Sequence, residues 1–307
     1  MLDNQLVIIM RLTQIRDFVA VVDAGSIRAA ARKLGISQPA VTKSVRMLET
    51  ELHLRLLQRT SKGILPTAAG RAFFARARVA QAELLKATEE AAQEGGLETG
   101  SVAFGVGPAA GFTIVPEAVA RFREQFPDAR LRIVGGYTHT LLPMVRDETL
   151  DFAIGTRLDA KLEPVISFHP LFRHDFVIVA RKGHPLCNAR SLAQLADAEW
   201  ISFHAWGADQ GPLHRAFASA GLPVPKKLLR CESYSTTIGL LAKSDMLGIE
   251  SRRMLERSFA KSYLQAIEVK EPMPSYTAGL FQRADSPLTK AALAMTEAVT
   301  ATARALR

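Results

Sequence analysis

Residues 26–46, Ser-Ile-Arg-Ala-Ala-Ala-Arg-Lys-Leu-Gly-Ile-Ser-Gln-Pro-Ala-Val-Thr-Lys-Ser-Val-Arg, constrain this chain more than any other stretch. Ser26 follows Gly25 and suits an N-cap, and Ile27, Ala30, Ala31 and Leu34 recur at i, i+3, i+4 and i+7, which gives one apolar helical face. Gly35 ends that helix where a residue tolerant of positive φ is wanted. Ser37 is a second N-cap, and Pro39 falls in a first turn where its missing N–H does no harm. Val41, Val45, Leu48 and Leu52 then continue as a buried stripe. At about 100° per residue, Pro39, Lys43, Arg46 and Thr50 point the other way, with Thr42 beside them. The pattern predicts two helices, a tight turn and a short, basic, hydrogen-bonding outer face. Such a face suits the second helix of a helix-turn-helix, which lies in a DNA major groove. A plain helical hairpin with a solvated basic face satisfies the same pattern.

Charge adds to the first reading. The net charge is +9, and residues 1–70 hold ten Lys and Arg against five acidic residues, so more than half of the excess sits in the first quarter. Basic density concentrated in one small domain is what counterion release from a polyanion requires. Neighbouring segments complete a small domain. Ile15, Phe18, Val19 and Val22 form the stripe of a preceding helix, while residues 1–9 are expected to be an extension rather than an extra element. Leu54 to Thr67 reads as a two-stranded wing with Arg59, Thr60 and Lys62 near its tip, placed to follow phosphates; a solvated hairpin is the alternative. Thr67 then caps an alanine-rich helix closed by Gly95-Gly96. Its Phe73, Ala77, Ala80, Leu84, Ala87 and Ala91 repeat in a 4-3-4-3-4 spacing, expected to form a seam with a second copy.

From Ser101 the pattern changes to alternating strands and helices, expected to form a parallel sheet covered by helices, in two α/β lobes joined by two crossings. Strands are expected at 101–107, 131–134, 152–155, 176–180, 200–203, 228–231, 246–249 and 277–281. Helices are expected at 114–125 and 141–146, after the Ser191–Gln194 capping box, at 212–220, from about Thr236, and at 287–306. No apolar run is long enough to span a membrane or serve as a signal-peptide core, which implies a cytoplasmic protein without membrane contact.

The chain resembles the LysR-type transcriptional regulators. The resemblance is carried by Phe18, Gly25-Ser26, Ala29-Ala30, Leu34, Ser37-Gln38-Pro39-Ala40-Val41, Leu48-Glu49, Arg59-Thr60 and Leu65-Pro66-Thr67-Ala68-Ala69-Gly70. Looser agreement follows at Val115-Pro116, Phe122, Phe126-Pro127, Leu150-Asp151-Phe152-Ala153-Ile154-Gly155 and Gly183-His184-Pro185-Leu186. The resemblance implies a winged helix-turn-helix over 10–67, a dimerising linker helix over 68–96, and a two-lobed effector domain like periplasmic binding proteins over 97–307. Lobe I would take about 97–172 and 275–307, and lobe II about 173–274. It implies promoter DNA, a small-molecule co-inducer, further copies in a homodimer or homotetramer, and RNA polymerase as partners. Carried over residue by residue, Gln38, Pro39, Ala40, Thr42, Lys43 and Arg46 fall on the recognition helix, Arg28 on the helix before it, and Arg59 and Lys62 on the wing. Two departures concern the ligand. The segment after the first effector strand, Pro108-Ala109-Ala110-Gly111, has no hydroxyl before Thr113, and the late strand continues as Glu250-Ser251 where Pro is usual.

Ligands of open α/β lobes bind at the carboxyl ends of strands. The residues there nominate Gly111, Phe112, Thr113, Thr156, Arg157, Phe203, His204, Trp206 and Ser233, with Tyr137 as a further wall. Arg157 with His139 or His204 would favour a small organic anion, and the aromatics an aromatic one. Each residue also has an ordinary structural use, in the core or in a salt bridge. Against catalysis stand the absence of G-x-S-x-G, P-loop, dinucleotide and HExxH motifs and seven histidines without metal-ligand spacing; His169 and His174 near Pro170 suit a turn. Cys187 and Cys231 are expected to be plain buried thiols. No cofactor or metal is implied. The competing reading is a solute-binding or enzymatic α/β protein with an incidental helical N-terminal domain.

Overall fold

Apolar stripes at helical spacing can be buried only against one another, and the first elements of the chain do so. In the computed structural model, which describes residues 10–61, 63–95, 100–158, 162–203 and 211–305, α1 (Leu12–Ala24), α2 (Ile27–Leu34) and α3 (Gln38–Glu51) enclose Phe18, Val21, Ala30, Val41 and Leu48. Gly25 and Gly35 end α1 and α2 with φ of 62° and 66°, a conformation that carries a steric penalty for residues with a Cβ. Ser26 Oγ accepts from Ala29 N at 3.2 Å and Ser37 Oγ from Ala40 N at 3.3 Å, so both N-caps satisfy orphan donors. The wing is β1 (Leu57–Thr60) paired antiparallel with β2 (Gly63–Pro66). Glu49 Oε1 accepts from the backbone N–H groups of Leu56 and Leu57 at 2.7 and 3.0 Å, and Ile64 N donates to Gly25 O at 3.0 Å. The wing is thus tied at one end to α3 and at the other to the turn between α1 and α2.

Helix α4 (Ala68–Glu94) begins by closing this core: the Phe73 and Phe74 rings meet Phe18 edge-on at 5.4 and 6.4 Å, and Ala77 is buried. The first part of the expected seam therefore packs on its own chain, because Phe18 needs a lid. Leu84 and Leu85, further along, are exposed.

The chain divides into two compact units, Met1–Gly96 and Leu97–Arg307. In the second, β3 (Ser101–Val106), α5 (Pro108–Thr113), α6 (Val115–Gln125), β4 (Arg130–Gly135), α7 (Thr138–Arg146) and β5 (Phe152–Arg157) build the first lobe, where β3 pairs in parallel with both β4 and β5. Strand β6 (Ile166–Arg181) then runs sixteen residues into the second lobe. There follow β7 (Trp200–Ser202), α8 (Pro212–Ser219), β8 (Leu228–Arg230), α9 (Tyr234–Lys243), β9 (Gly248–Ser251), α10 (Arg252–Arg257) and β10 (Leu264–Ile267). Strand β11 (Ser275–Arg283) returns to the first lobe, and α11 (Lys290–Ala305) packs there beside α6.

Several expectations require correction. The main sheet is mixed rather than parallel: β11 comes back from the other lobe and so lies antiparallel to β5 and β6, and β6 lies antiparallel to β9 and β10. The segment Pro108–Thr113 is a short helix instead of a loop. The Ser191 capping box is present but opens only a four-residue 3-10 turn, and α10 and β10 were not foreseen. His169 and His174 lie within β6 and not in a turn. The irregularity near Pro170 is a β-bulge, with Ala278 opposite Phe172 but Gly279 opposite Pro170, so that Leu171 is extra. Cys187 and Cys231 are free and only half-buried.

Opposite the bulge, a Cβ on Gly279 would stand 2.3 Å from His169 O and 2.6 Å from the Phe168 ring. Backbone cannot yield as a flexible side chain does. Gly279→Ala is expected to destabilise the effector unit by about 1–3 kcal/mol, read as a lower urea midpoint; an unchanged midpoint would show that the bulge does not need this close approach.

Candidate functional site

In the first unit, α3 buries Val41, Val45 and Leu48, which leaves its opposite face to solvent. Gln38, Pro39, Ala40, Lys43 and Arg46 are exposed there and Thr42 is half-buried; Arg28 is exposed on α2, and Arg59 and Thr60 on the wing. Thr42 Oγ1 donates to Gln38 O at 2.9 Å, so its hydroxyl proton is used within the helix and its lone pairs face outward. A groove runs between α3 and the wing, with Arg46, Arg55, Gln58 and Arg59 along it. Arg55 and Gln58 were missed in the sequence, since only the fold turns β1 toward α3. Among the described residues, none of Arg28, Lys43, Arg46, Arg55 and Arg59 forms an ion pair. Lys62 lies outside the described residues.

In the second unit a small cavity of about 70 Å³ lies where the two lobes meet. Four segments converge on it: the start of α5 (Gly107–Ala109), the start of α7 (Tyr137–His139), the middle of β6 (His174, Phe176), and the β9–α10 junction (Glu250, Ser251, Met254). Thr156, Leu158, Phe203 and Pro212 complete the wall. Tyr137 and Phe203 stack at 3.8 Å with 5° between their planes, closing one side from opposite lobes. Phe112 also bridges the lobes, packing on Tyr234 and Phe259 at 5.6 and 5.7 Å.

Of the residues nominated for the ligand, Thr156 and Phe203 line this cavity, as do Tyr137 and His139. Gly111, Phe112 and Ser233 line a neighbouring hollow that also touches Tyr137. Thr113 is buried, with its hydroxyl donating to Ala109 O at 2.6 Å. Arg157 is exposed, its guanidinium 5.3 Å from the Phe168 ring centre, and takes no part in the wall. His204 and Trp206 lie outside the described residues. Of the groups expected to favour an anion, His139 lines the wall and Arg157 does not; among the described residues the wall contains no Lys or Arg.

It contains a carboxylate instead. Glu250 is 8% exposed, no side chain among the described residues bonds to it, and burial alone raises its pKa from 4.5 to about 8. His174 Nε2 lies 3.1 Å from Thr156 Oγ1 while Nδ1 has no partner; burial, then the Arg253 charge, lowers its pKa to about 4 against an opposing pull from Asp175. The Tyr137 and Ser251 hydroxyls are also buried without partners, and burial and the Glu250 charge push the Tyr137 phenol up. The signals for the missed residues were slight but present. His174 alternates with Phe172 and Phe176 on one strand face, and Glu250 is an acid directly after the apolar run Met246-Leu247-Gly248-Ile249.

Comparison with known proteins gives these two sites their setting. Residues 12–71 match the family model of bacterial regulatory helix-turn-helix proteins of the lysR family, and residues 95–304 match that of the LysR substrate binding domain. The chain belongs to the LysR family of transcriptional regulators. This LysR-family chain is 30% identical over 279 residues to the HTH-type transcriptional regulator GalR of Pseudomonas putida, covering 91% of this chain and 70% of the relative. It is 28% identical over 258 residues to TdcA of Escherichia coli, covering 84% and 82%. A full-length OxyR variant from Pseudomonas aeruginosa shares the fold with a TM-score of 0.69 at 21% identity, covering 94% of each chain. CbnR, another LysR-family regulator, does so with a TM-score of 0.67 at 19% identity, covering 96% and 99%. The relatives are regulators rather than enzymes, and so is this LysR-family protein, with one DNA-binding and one effector-binding domain. Among the described residues no helix is long and apolar enough to cross a membrane.

The Glu250 carboxyl has a consequence for stability. Folding raises its pKa, so between pH 4.5 and about 8 the folded chain keeps a proton that the unfolded chain has lost. Its contribution is fully present below pH 4.5 and is lost as pH rises through 8. The Glu250→Gln variant is expected to lose less stability than the parent between about pH 5.5 and 8.5 in urea unfolding; equal losses would show that the carboxyl has a partner.

Proposed function

We propose that this regulator binds double-stranded promoter DNA as a homodimer or homotetramer in the cytoplasm. A small molecule held between the lobes would change how that complex acts on RNA polymerase. The observation that carries the reading is an unpaired basic face on an exposed helix-turn-helix, in one chain with a two-lobed unit whose cavity holds partnerless polar groups. CbnR, a neighbour of the same fold, has been solved in complex with its target DNA, which supports the same partner here. Gln38 suits an adenine edge, and Lys43 and Arg46 suit guanine or phosphate. Arg28, Arg59, Thr60 and Lys62 suit the backbone on either side, and Arg55 extends that set. Leu84 and Leu85, exposed on α4, would form the seam with a second copy, so that two α3 helices read one dyad. A ligand governs such an assembly only by preferring one of its arrangements.

Replacing Arg46 by Ala is expected to weaken retention of the chain's own upstream DNA at least tenfold in gel shifts, with sedimentation unchanged; full retention would remove α3 from the interface. Replacing both Leu84 and Leu85 by Glu is expected to lower the sedimenting mass with the helical signal intact, and an unchanged mass would place the seam elsewhere.

A further inference from the structure

Glu250, His174 and Ser251, which no ligand expectation included, define what the cavity can accept. Glu250 sits on β9, with its backbone paired to Val177 on β6, and its side chain opens onto a space walled mainly by Tyr137, Phe176, Phe203, Leu158 and Met254. An unpaired acid at such a place is disfavoured in its charged form and has nothing nearby to relieve it. Among the described residues, charged and titratable groups approach it from several elements, and His139 at the start of α7 lines the same space. Tyr137 at α7 and Tyr234 on α9 feel its charge, and Cys231 acts on Tyr137. His174 on β6 is held neutral. Arg253 on α10 acts on His174 but lies over the Phe172 ring, 5.4 Å from its centre, and is not part of the wall.

An anionic ligand would be buried beside this acid with no Lys or Arg in the described wall to receive it, which penalises it twice. An uncharged apolar ligand would fill the space but leave Glu250 and the Tyr137 and Ser251 hydroxyls as they are. A protonated amine supplies both charge and donors: an ammonium has three N–H bonds to give and no acceptor, and the wall offers it the Glu250 carboxylate and the unpartnered hydroxyl oxygens of Tyr137 and Ser251. We propose that the effector of this regulator is a compact, largely apolar, preferably aromatic, amine whose ammonium group is received by the Glu250 carboxylate. This rests on the reading that the cavity between the lobes is the effector site. On binding near neutral pH the carboxyl loses its proton to the buffer as the ion pair forms, so the uptake of one cation releases close to one proton. At pH values well above 8 the carboxyl is already ionised and no proton is released.

The full chain is titrated calorimetrically with benzylamine, benzyl alcohol and benzoate, at about pH 7 and pH 9, in two buffers that differ in ionisation enthalpy. Expected is binding of benzylamine at least tenfold tighter than of the other two, with proton release near neutral pH that vanishes at the higher pH. Glu250→Gln should lose that preference at least tenfold while its affinity for benzyl alcohol stays unchanged. A Met254→Trp variant, which fills the wall, should weaken all three. Preference for benzoate, or benzylamine binding that E250Q leaves intact, would overturn the amine assignment while retaining the cavity as effector site. Binding that M254W does not weaken, or no binding of any of the three, would overturn both.

Discussion

Backbone N–H and C=O groups have to stay paired where a chain passes from one lobe into another, and β6 meets that requirement by not ending. Residues Ser275–Arg283 of β11 pair with its first part, and β9 and β10 flank its last part from Phe176 onward. The crossing is therefore a strand and not a loop. Because alternate side chains of a strand face opposite ways, one extra residue exchanges the faces of everything beyond it. The bulge at Leu171 has this effect: Leu171 and Phe172 are buried in succession, and then Phe172, His174 and Phe176 turn inward while Arg173 and Asp175 turn out. His174 reaches the cavity because of it.

The same logic of enforced orientation produces the basic face of the first unit. Burying Val41, Val45 and Leu48 leaves α3 no choice about where Lys43 and Arg46 point. The two hydrogen bonds that Glu49 accepts from the Leu56 and Leu57 N–H groups, and the one Ile64 N donates to Gly25 O, then decide that Arg55 and Arg59 stand along the same groove. A carboxylate inside the helix stripe thus contributes to an electropositive surface without lying on it.

The effector cavity follows the opposite principle. Its walls leave Glu250, Nδ1 of His174 and the Tyr137 and Ser251 hydroxyls without partners, although buried polar groups in folded proteins are nearly always satisfied. Such groups lack protein partners, and together they describe the complement of a ligand. Three of these atoms, on Tyr137, His174 and Ser251, line the one cavity, where a second molecule can satisfy them.

How much of this could be read in advance depended on the range of the interaction. Ser26, Gly35, Ser37 and the stripes of α1 to α3 act within a few residues of themselves, so the helix-turn-helix, its caps and its outward face were legible from residue order alone. Thr156 and Phe203 were legible as strand-end residues for the same reason. Leu171 as a bulge, Phe73 and Ala77 as a lid on Phe18, and Arg157 turned onto Phe168 instead of a ligand depend on partners far away in sequence. Residue order by itself determined the family, the two-unit plan and the basic face, because helical period and capping are local. Only the tertiary structure decided that the cavity presents an acid rather than a cation, because Glu250 becomes buried and partnerless only when β9 is laid against β6.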